Sequence, residues 1–355
     1  MINARVPFAS LLLLGIVAAQ TPQPPTVIEP PKPVGQQPEV KGAIVTETPV
    51  YDEAADAKKL VAAAVAKAKK ENQRVLIQWG ANWCGWCKWL AKKMKTDAKL
   101  TRELLYEYQV VHVDVGQFDK NMDLAKSVGA DFKAIPYLTI LDGDGKPVAQ
   151  QNTEPFENEV DGKPGHDGKK VLAFLKEHEA KPLAASAVLA DAMAAAKKDG
   201  KRVFLHFGAP WCPWCHRLED WMARPEIAAV LAKDFVDVKI DNDRMLSGKD
   251  VFEQQLAMAG QKDSGIPWFT FLDADGKLLA HATGPKGNVG FPYQPEEVEH
   301  FVTMLNAAKQ KLTDADITML RDSLDANRQA EEAKKKPKRA APAAPAKTDD
   351  HRGSV

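Results

Sequence analysis

The chain holds four cysteines, Cys84, Cys87, Cys212 and Cys215, grouped as two Cys-x-x-Cys pairs that each follow a tryptophan: WCGWC from Trp83 and WCPWC from Trp211. Two thiols at this spacing can pass two electrons by closing into a disulfide, provided one of them is ionised enough to attack. An apolar run leads into each pair, VLIQWG over 75–80 and VFLHFG over 203–208, and reads as a strand. Beyond each pair, Cys87, Leu90 and Met94, or Cys215, Leu218 and Met222, recur at helical spacing. The first cysteine of each pair therefore opens a helix, where unpaired N–H groups and the positive dipole end favour the thiolate. Cys84 and Cys212 are the expected attackers. Cys87 and Cys215, one turn on and more buried, are the expected resolvers.

The elements that must hold these sulfurs repeat along the chain. A helical pattern from near Asp52 to Lys70 precedes strand 74–80 and the first cysteine helix. A helix over 97–108, strand 109–115, a helix over 119–128 and strand 137–141 follow, with Asp142 to Gly145 turning into strand 147–151. A polar loop containing Gly162, Pro164 and Gly165 leads to a helix near 168–179. The order then recurs: helix 187–199, strand 202–208, the second cysteine helix, helix 225–234, strand 235–241, helix 249–258, strands 268–272 and 277–282, and helix 295–311. Both cysteine positions repeat 128 residues apart, and Pro136 and Pro267 repeat 131 apart. A period of that length marks a duplicated domain rather than a solenoid. The divisions expected are 1–19, 20–50, 51–180, 181–312, a helical extension over 313–332 and a basic Lys/Ala/Pro tail over 333–355, both the 20–50 linker and the tail lacking a core of their own.

Each half, taken over 52–180 and 186–312, resembles the thioredoxin superfamily: strand, Trp-Cys-x-x-Cys at a helix start, crossover strand, Ile-Pro, hairpin, closing helix. Cys-x-x-Cys alone is a weak signal, but this whole order found twice is specific. The resemblance implies an α/β fold of two tandem domains, each a central mixed sheet flanked by helices. It implies disulfide exchange as the activity, with Ile135-Pro136 and Ile266-Pro267 as cis-prolines beside the cysteine pairs, leaving the preceding backbone open to an extended substrate. Trp83, Trp86, Trp211 and Trp214 flank the sulfurs and are read as an apolar rim facing substrate or as shields against water.

Two departures separate this chain from the thioredoxins, which carry a buried aspartate six residues before the first cysteine. Gln78 stands there in the first half and His206 in the second. Gln78 cannot take a proton at neutral pH. His206 is a candidate base, since imidazole titrates near neutrality, and equally a neutral core histidine. The two sites are thus expected to differ in rate.

The rival chemistry is a four-thiolate zinc site, which the spacing opposes: 124 residues separate Cys87 from Cys212, and each pair has its own domain. No metal and no cofactor are expected. LDGDGK (141–146) and LDADGK (272–277) lack the twelfth-position glutamate of a calcium loop and read as turns. The stretch from Gly284 to Gly290 does not match a dinucleotide fingerprint, so electrons must come from a membrane or thiol partner. Lys plus Arg equals Asp plus Glu at 48 each, which gives no argument for nucleic acid. Met1 to Ala19 has the charged start, apolar middle and small residues of an export signal, placing the chain in the periplasm or outside the cell, or tethered to a membrane if uncleaved. The expected partners are disulfide-containing exported proteins. The alternative is a scaffold or metal carrier with idle thiols.

Overall fold

The computed structural model describes residues 49–160 and 162–335. The expected export signal, nearly all of the proline-rich segment and most of the basic tail lie outside them. In the first half the order is α1 (Ala57–Glu71), β1 (Arg74–Gly80), α2 (Gly85–Thr96), α3 (Ala98–Glu107), β2 (Tyr108–Asp114), α4 (Met122–Ser127), β3 (Tyr137–Leu141), β4 (Pro147–Asn152), β5 (Glu157–Val160), β6 (Lys163–His166) and α5 (Gly168–Glu177). In the second it is α6 (Ala185–Asp199), β7 (Arg202–Gly208), α7 (Pro213–Met222), α8 (Pro225–Leu231), β8 (Phe235–Asp241), α9 (Gly248–Met258), β9 (Trp268–Leu272) and β10 (Leu278–His281). The short pair β11 (Thr283–Gly284) and β12 (Gly287–Asn288), α10 (Pro295–Ala308) and α11 (Asp314–Lys335) complete it.

Each half builds a four-stranded mixed sheet, ordered β2-β1-β3-β4 and β8-β7-β9-β10. The cysteine strand pairs parallel with the strand reached by the helical crossover and antiparallel with the strand after the proline. A parallel pair needs such a crossover, and helices on both faces explain why β1 and β7 are apolar nearly throughout. On β1 the side chains alternate: Val75, Ile77 and Trp79 join a core with α1 and β2, whereas Leu76 joins one with α2, α3 and α5. Gln78 and Gly80 share the face of Leu76, the face that α2 covers. Trp79 is fully buried and donates its indole N–H to Thr139.

Three expectations are corrected. The polar stretch before α5 is a β-hairpin, Glu157 pairing with His166 and Val160 with Lys163, not a loop. Its turn contains Gly162 in the left-handed region that suits glycine. Secondly, several helices are shorter than their patterns. Val115 O accepts the N–H groups of Phe118, Asp119 and Lys120, and this turn delays α4 to Met122. The buried Asp234 carboxylate accepts the N–H groups of Gln310, Lys311 and Leu312 at 2.7, 2.7 and 3.0 Å, and α10 ends at Ala308. Thirdly, the extension expected over 313–332 is not set apart from the second half: as α11 it belongs to that half's core. It buries Ile317, Leu320 and Leu324, and its Ser323 accepts the indole N–H of Trp221. No helix among the described residues is long and apolar enough to cross a membrane.

From Pro49 onward the halves form one unit. Arg244, three residues past β8, grips the first half: its guanidinium donates to both carboxylate oxygens of Glu107 (3.1 and 2.8 Å) and to the backbone carbonyls of Glu71 and Asn72 (2.6 and 2.9 Å). A forked donor suits this work, since it satisfies a carboxylate and the free carbonyls at the C-terminus of α1 together.

Candidate active sites

Cys84 and Cys212 are the N-caps of α2 and α7, and each is disulfide-bonded to its partner three residues on. In both sites the first sulfur accepts the backbone N–H of the second cysteine at 3.1 Å, so one orphan donor of the helix points at the sulfur. In both, the first sulfur also lies 3.7 Å from the carbonyl oxygen preceding the proline, that of Ile135 or Ile266. The Ile135–Pro136 and Ile266–Pro267 peptides are cis. The four cysteines are all buried in this closed form: 6% and 0% exposed in the first pair, 2% and 1% in the second. The difference expected between attacker and resolver is thus visible in the first pair and slight in the second.

The flanking tryptophans divide. Trp83 and Trp211 are the most open, 53% and 55% exposed, and each is held by its indole N–H, to Gly116 O or to Asp243, at 2.8 Å. Trp86 is half-buried because the β5–β6 hairpin lies over it. Its ring meets Trp89 and His166 edge-on at 5.0 and 5.5 Å, beside a cavity of about 460 Å³ rimmed by Glu157, Glu159 and Pro164. Trp214 faces Phe291 and Tyr293, with Arg217 over its ring at 5.0 Å, and shares a cavity of about 320 Å³ with Pro267.

Beneath the sulfurs the two halves differ in charge. In the first, Gln78 donates to Tyr51 Oη at 2.8 Å and to Cys87 O at 2.9 Å. Tyr51 is wholly buried, and burial drives its hydroxyl far above the usual phenol range, so it stays neutral. A methyl group on Gly80 would sit 2.1 Å from Tyr51 Oη and 2.9 Å from Cys87 Sγ, so only glycine admits the phenol and the sulfur together. His112, opposite Gln78 on β2, is pushed down to about 4 by burial and then by Lys95. Gln78, Tyr51 and His112 are thus all uncharged at neutral pH.

The second floor is ionic. His206 sets Nε2 3.0 Å from Asp237; burial raises that carboxyl, but His206 outweighs it and holds it below the ordinary range. The position opposite His206 on β8 is Lys239, whose ammonium lies 2.8 Å from Glu219 of α7 and 2.7 Å from Glu71 of α1. A methyl group on Gly208 would meet Cys215 Sγ at 3.3 Å and Glu219 Oε1 at 3.6 Å, so that carboxylate and sulfur border the same small space. His216, the residue after Cys215, sets its Nε2 2.8 Å from the carbonyl oxygen of Pro210.

Sequence reasoning did not find Tyr51, Glu219, Lys239, Asp243 or His166. Glu219 had a signal, four residues after Cys215 on the same helix face. The hairpin carrying His166 had one too, the Asp-Gly pair at 161–162. Tyr51 borders the proline-rich stretch and had none. Among the described residues no group of His, Cys, Asp and Glu is arranged to hold a metal ion.

A four-stranded mixed sheet, a Cys-x-x-Cys helix start and a cis-proline beside it, all present twice, define a tandem thioredoxin-like protein. Family comparison agrees: residues 56–143 match a family described as thioredoxin-like, and residues 168–327 match Thioredox_DsbH, a family of unknown function (DUF255). Among curated proteins the chain is 26% identical over 186 residues to a protein disulfide-isomerase of Medicago sativa, covering 50% of this chain and 34% of that protein. It is 34% identical over 74 residues to human spermatogenesis-associated protein 20, covering 21% and 9%. The matches thus span about a third or less of these relatives. Among solved structures, a disulphide isomerase from Xylella fastidiosa Temecula1 is 28% identical (37% of this chain, 97% of that one, TM-score 0.31). A DsbH oxidoreductase is 24% identical (34% and 82%, TM-score 0.25). The fold assignment rests on the strand order and the family matches, not on these superpositions.

Proposed function

We propose that this chain is a thiol–disulfide oxidoreductase of exported proteins, working as a reductase or isomerase in the periplasm or outside the cell. Its working parts are the folded halves at 51–180 and 181–312. Cys84 and Cys212 attack a substrate disulfide, and Cys87 and Cys215 release the resulting mixed disulfide. The observation that carries this reading is the repeated placement of an N-cap sulfur between a helix N–H and the carbonyl before a cis-proline. The helix end favours the thiolate, and the carbonyl lies where an extended peptide would run past the sulfur. Trp83, Trp86, Trp211 and Trp214 form the rims that such a peptide meets, and Pro136 and Pro267 shape its path. A membrane or thiol donor returns each pair to the dithiol.

The test is capture. Cys87→Ser and Cys215→Ser variants, expressed with the leader intact, should accumulate mixed disulfides with exported proteins through Cys84 and Cys212, and the reduced parent should cleave a model protein disulfide. Neither adducts nor cleavage, from a chain that is folded and fully reduced, would refute the assignment.

A further inference from the structure

The charges beside the second cysteine site are paired with one that its own domain does not supply. Lys239 is shared between Glu219, beside Cys215, and Glu71, at the end of α1 in the other half. All three side chains are 10–17% exposed, so water screens them little. Burial pulls the lysine down and raises Glu71, but the pairing wins for both: Lys239 is held above its ordinary range and Glu71 below. In the first half the equivalent positions are Ala91 for Glu219 and His112 for Lys239, and no such triad forms there.

We propose that Glu71 is a positioning residue for the second site: by drawing on Lys239 from across the domain interface, it sets how readily Cys215 loses its proton, so that site is complete only with the first domain docked. This rests on the exchange reading above. The step it governs is the closing one. Cys212 thiolate has attacked the substrate disulfide, forming a mixed disulfide and releasing one substrate sulfur, which takes a proton from water. Cys215 then passes its proton to the Glu219 carboxylate, and its thiolate attacks Cys212 Sγ. The mixed disulfide breaks, the second substrate sulfur leaves and is protonated, and the Cys212–Cys215 disulfide forms. Two electrons have gone to the substrate, and a dithiol donor restores them.

Lys239 sits among several charged or titratable groups. On α7 these are Glu219 and His216; on β7, His206, which pairs with Asp237; on β8, Asp237 and Asp241. Glu71, Lys67 and Lys70 face it from α1, and Arg244 from the loop after β8. Glu71 and Lys239 are singled out because their signs are opposite and their bond crosses the interface. Removing a negative charge favours a thiolate, and removing a positive one disfavours it.

The experiment uses the full chain with Cys84→Ser and Cys87→Ser, reduced and mixed rapidly with 5,5′-dithiobis(2-nitrobenzoate). The first equivalent of aryl thiolate reports attack by Cys212, and the second reports closure by Cys215. Glu71→Gln should move the pH midpoint of the second phase down by about one unit, and Lys239→Met should move it up by about as much. Glu71→Asp should stay near the parent. In a Cys212→Ser, Cys215→Ser chain, Glu71→Gln should leave the first site's profile unmoved. Loosened packing would slow both variants alike, so midpoints that stay put or move the same way overturn the proposal. A parent that never reduces the reagent sinks the exchange reading and this proposal together; a parent that closes normally with a midpoint indifferent to Glu71 sinks this proposal alone.

Discussion

Tyr106, in the first half, donates its hydroxyl to Asp243, in the second, at 2.8 Å, and the same carboxylate oxygen accepts the indole N–H of Trp211 at 2.8 Å. Trp211 precedes Cys212, so one atom ties the rim of the second site to the other domain. Tyr106→Phe removes the cross-domain bond and keeps the ring. The expected loss is about 1 kcal/mol of stability, the net worth of one such bond. Slower capture of a peptide disulfide by Cys212, with capture by Cys84 unchanged, is the accompanying outcome, checked by parallel stopped-flow traces on single-site chains.

Arg244→Ala should have the larger effect. The side chains of Arg244 and Glu107 are only 9% and 17% exposed, and the substitution leaves Glu107 and two helix-end carbonyls without their donor. We expect a loss of about 2–4 kcal/mol and two separated denaturant transitions where the parent shows one. Arg244→Lys should not restore the parent curve, since an ammonium cannot reach four acceptors in a fork. A single unchanged transition in Arg244→Ala would show that the halves are held by something else.

What the sequence disclosed follows from range. Strands β1, β3, β7 and β9 were legible because both faces are covered and their apolar runs are nearly unbroken, and β2 and β8 because apolar residues alternate with polar ones along them. The sulfurs were legible because Cys-x-x-Cys, a preceding strand and a following helical stripe are all local. Glu71 and Lys239 are 168 residues apart in sequence, and nothing local marks either as a partner for the other. Hairpin β5–β6 went unread because all its strand residues except Val160 are polar, glycine or proline, leaving only its turn as a signal. The fit of α11 went unread because three buried residues, Ile317, Leu320 and Leu324, make too narrow a stripe to distinguish docking from fraying.

The glycines before the two sites offer a test inside one molecule. Gly80→Ala would drive a methyl group to 2.1 Å from Tyr51 Oη, and the buried phenol has nowhere to go. Gly208→Ala meets its nearest neighbours, Cys215 Cβ and Sγ, at 3.2 and 3.3 Å, which a few tenths of an ångström relieve. The first substitution should cost about 2–3 kcal/mol and the second no more than about 1 kcal/mol. Urea titrations of both, with each half followed by its own hydrogen-exchange probes, decide it. Equal losses would contradict the tight fit of Tyr51.

Helix α11 gives a prediction confined to the second half. Leu320 and Leu324 are fully buried against a core that includes Trp221. Leu324→Ala should destabilise that half by about 2–4 kcal/mol, the usual range for a buried leucine, and leave the first half's protected amides untouched. A loss below about 0.5 kcal/mol would mean that the helix rests on the surface.

Acid should act on the first half through its histidines. His166 is 2% exposed, neither ring nitrogen has a protein partner, and burial pushes it down to about 4; His112 is pushed to the same level. A histidine whose folded pKa lies below its ordinary 6.5 binds fewer protons folded than unfolded between those values. Stability from it is therefore whole above pH 6.5 and drains as pH falls toward 4, by on the order of 3 kcal/mol. Glu103, pushed up to about 7 by burial and by Glu179, works the other way across much of that window. The informative quantity is thus the difference between parent and His166→Phe, which keeps the edge contact with Trp86 and cannot ionise. Between pH 6.5 and 4 the variant should lose less stability than the parent in denaturant titrations monitored at first-half amides. Parallel curves would show that His166 is protonated, or reached by water, in the folded chain.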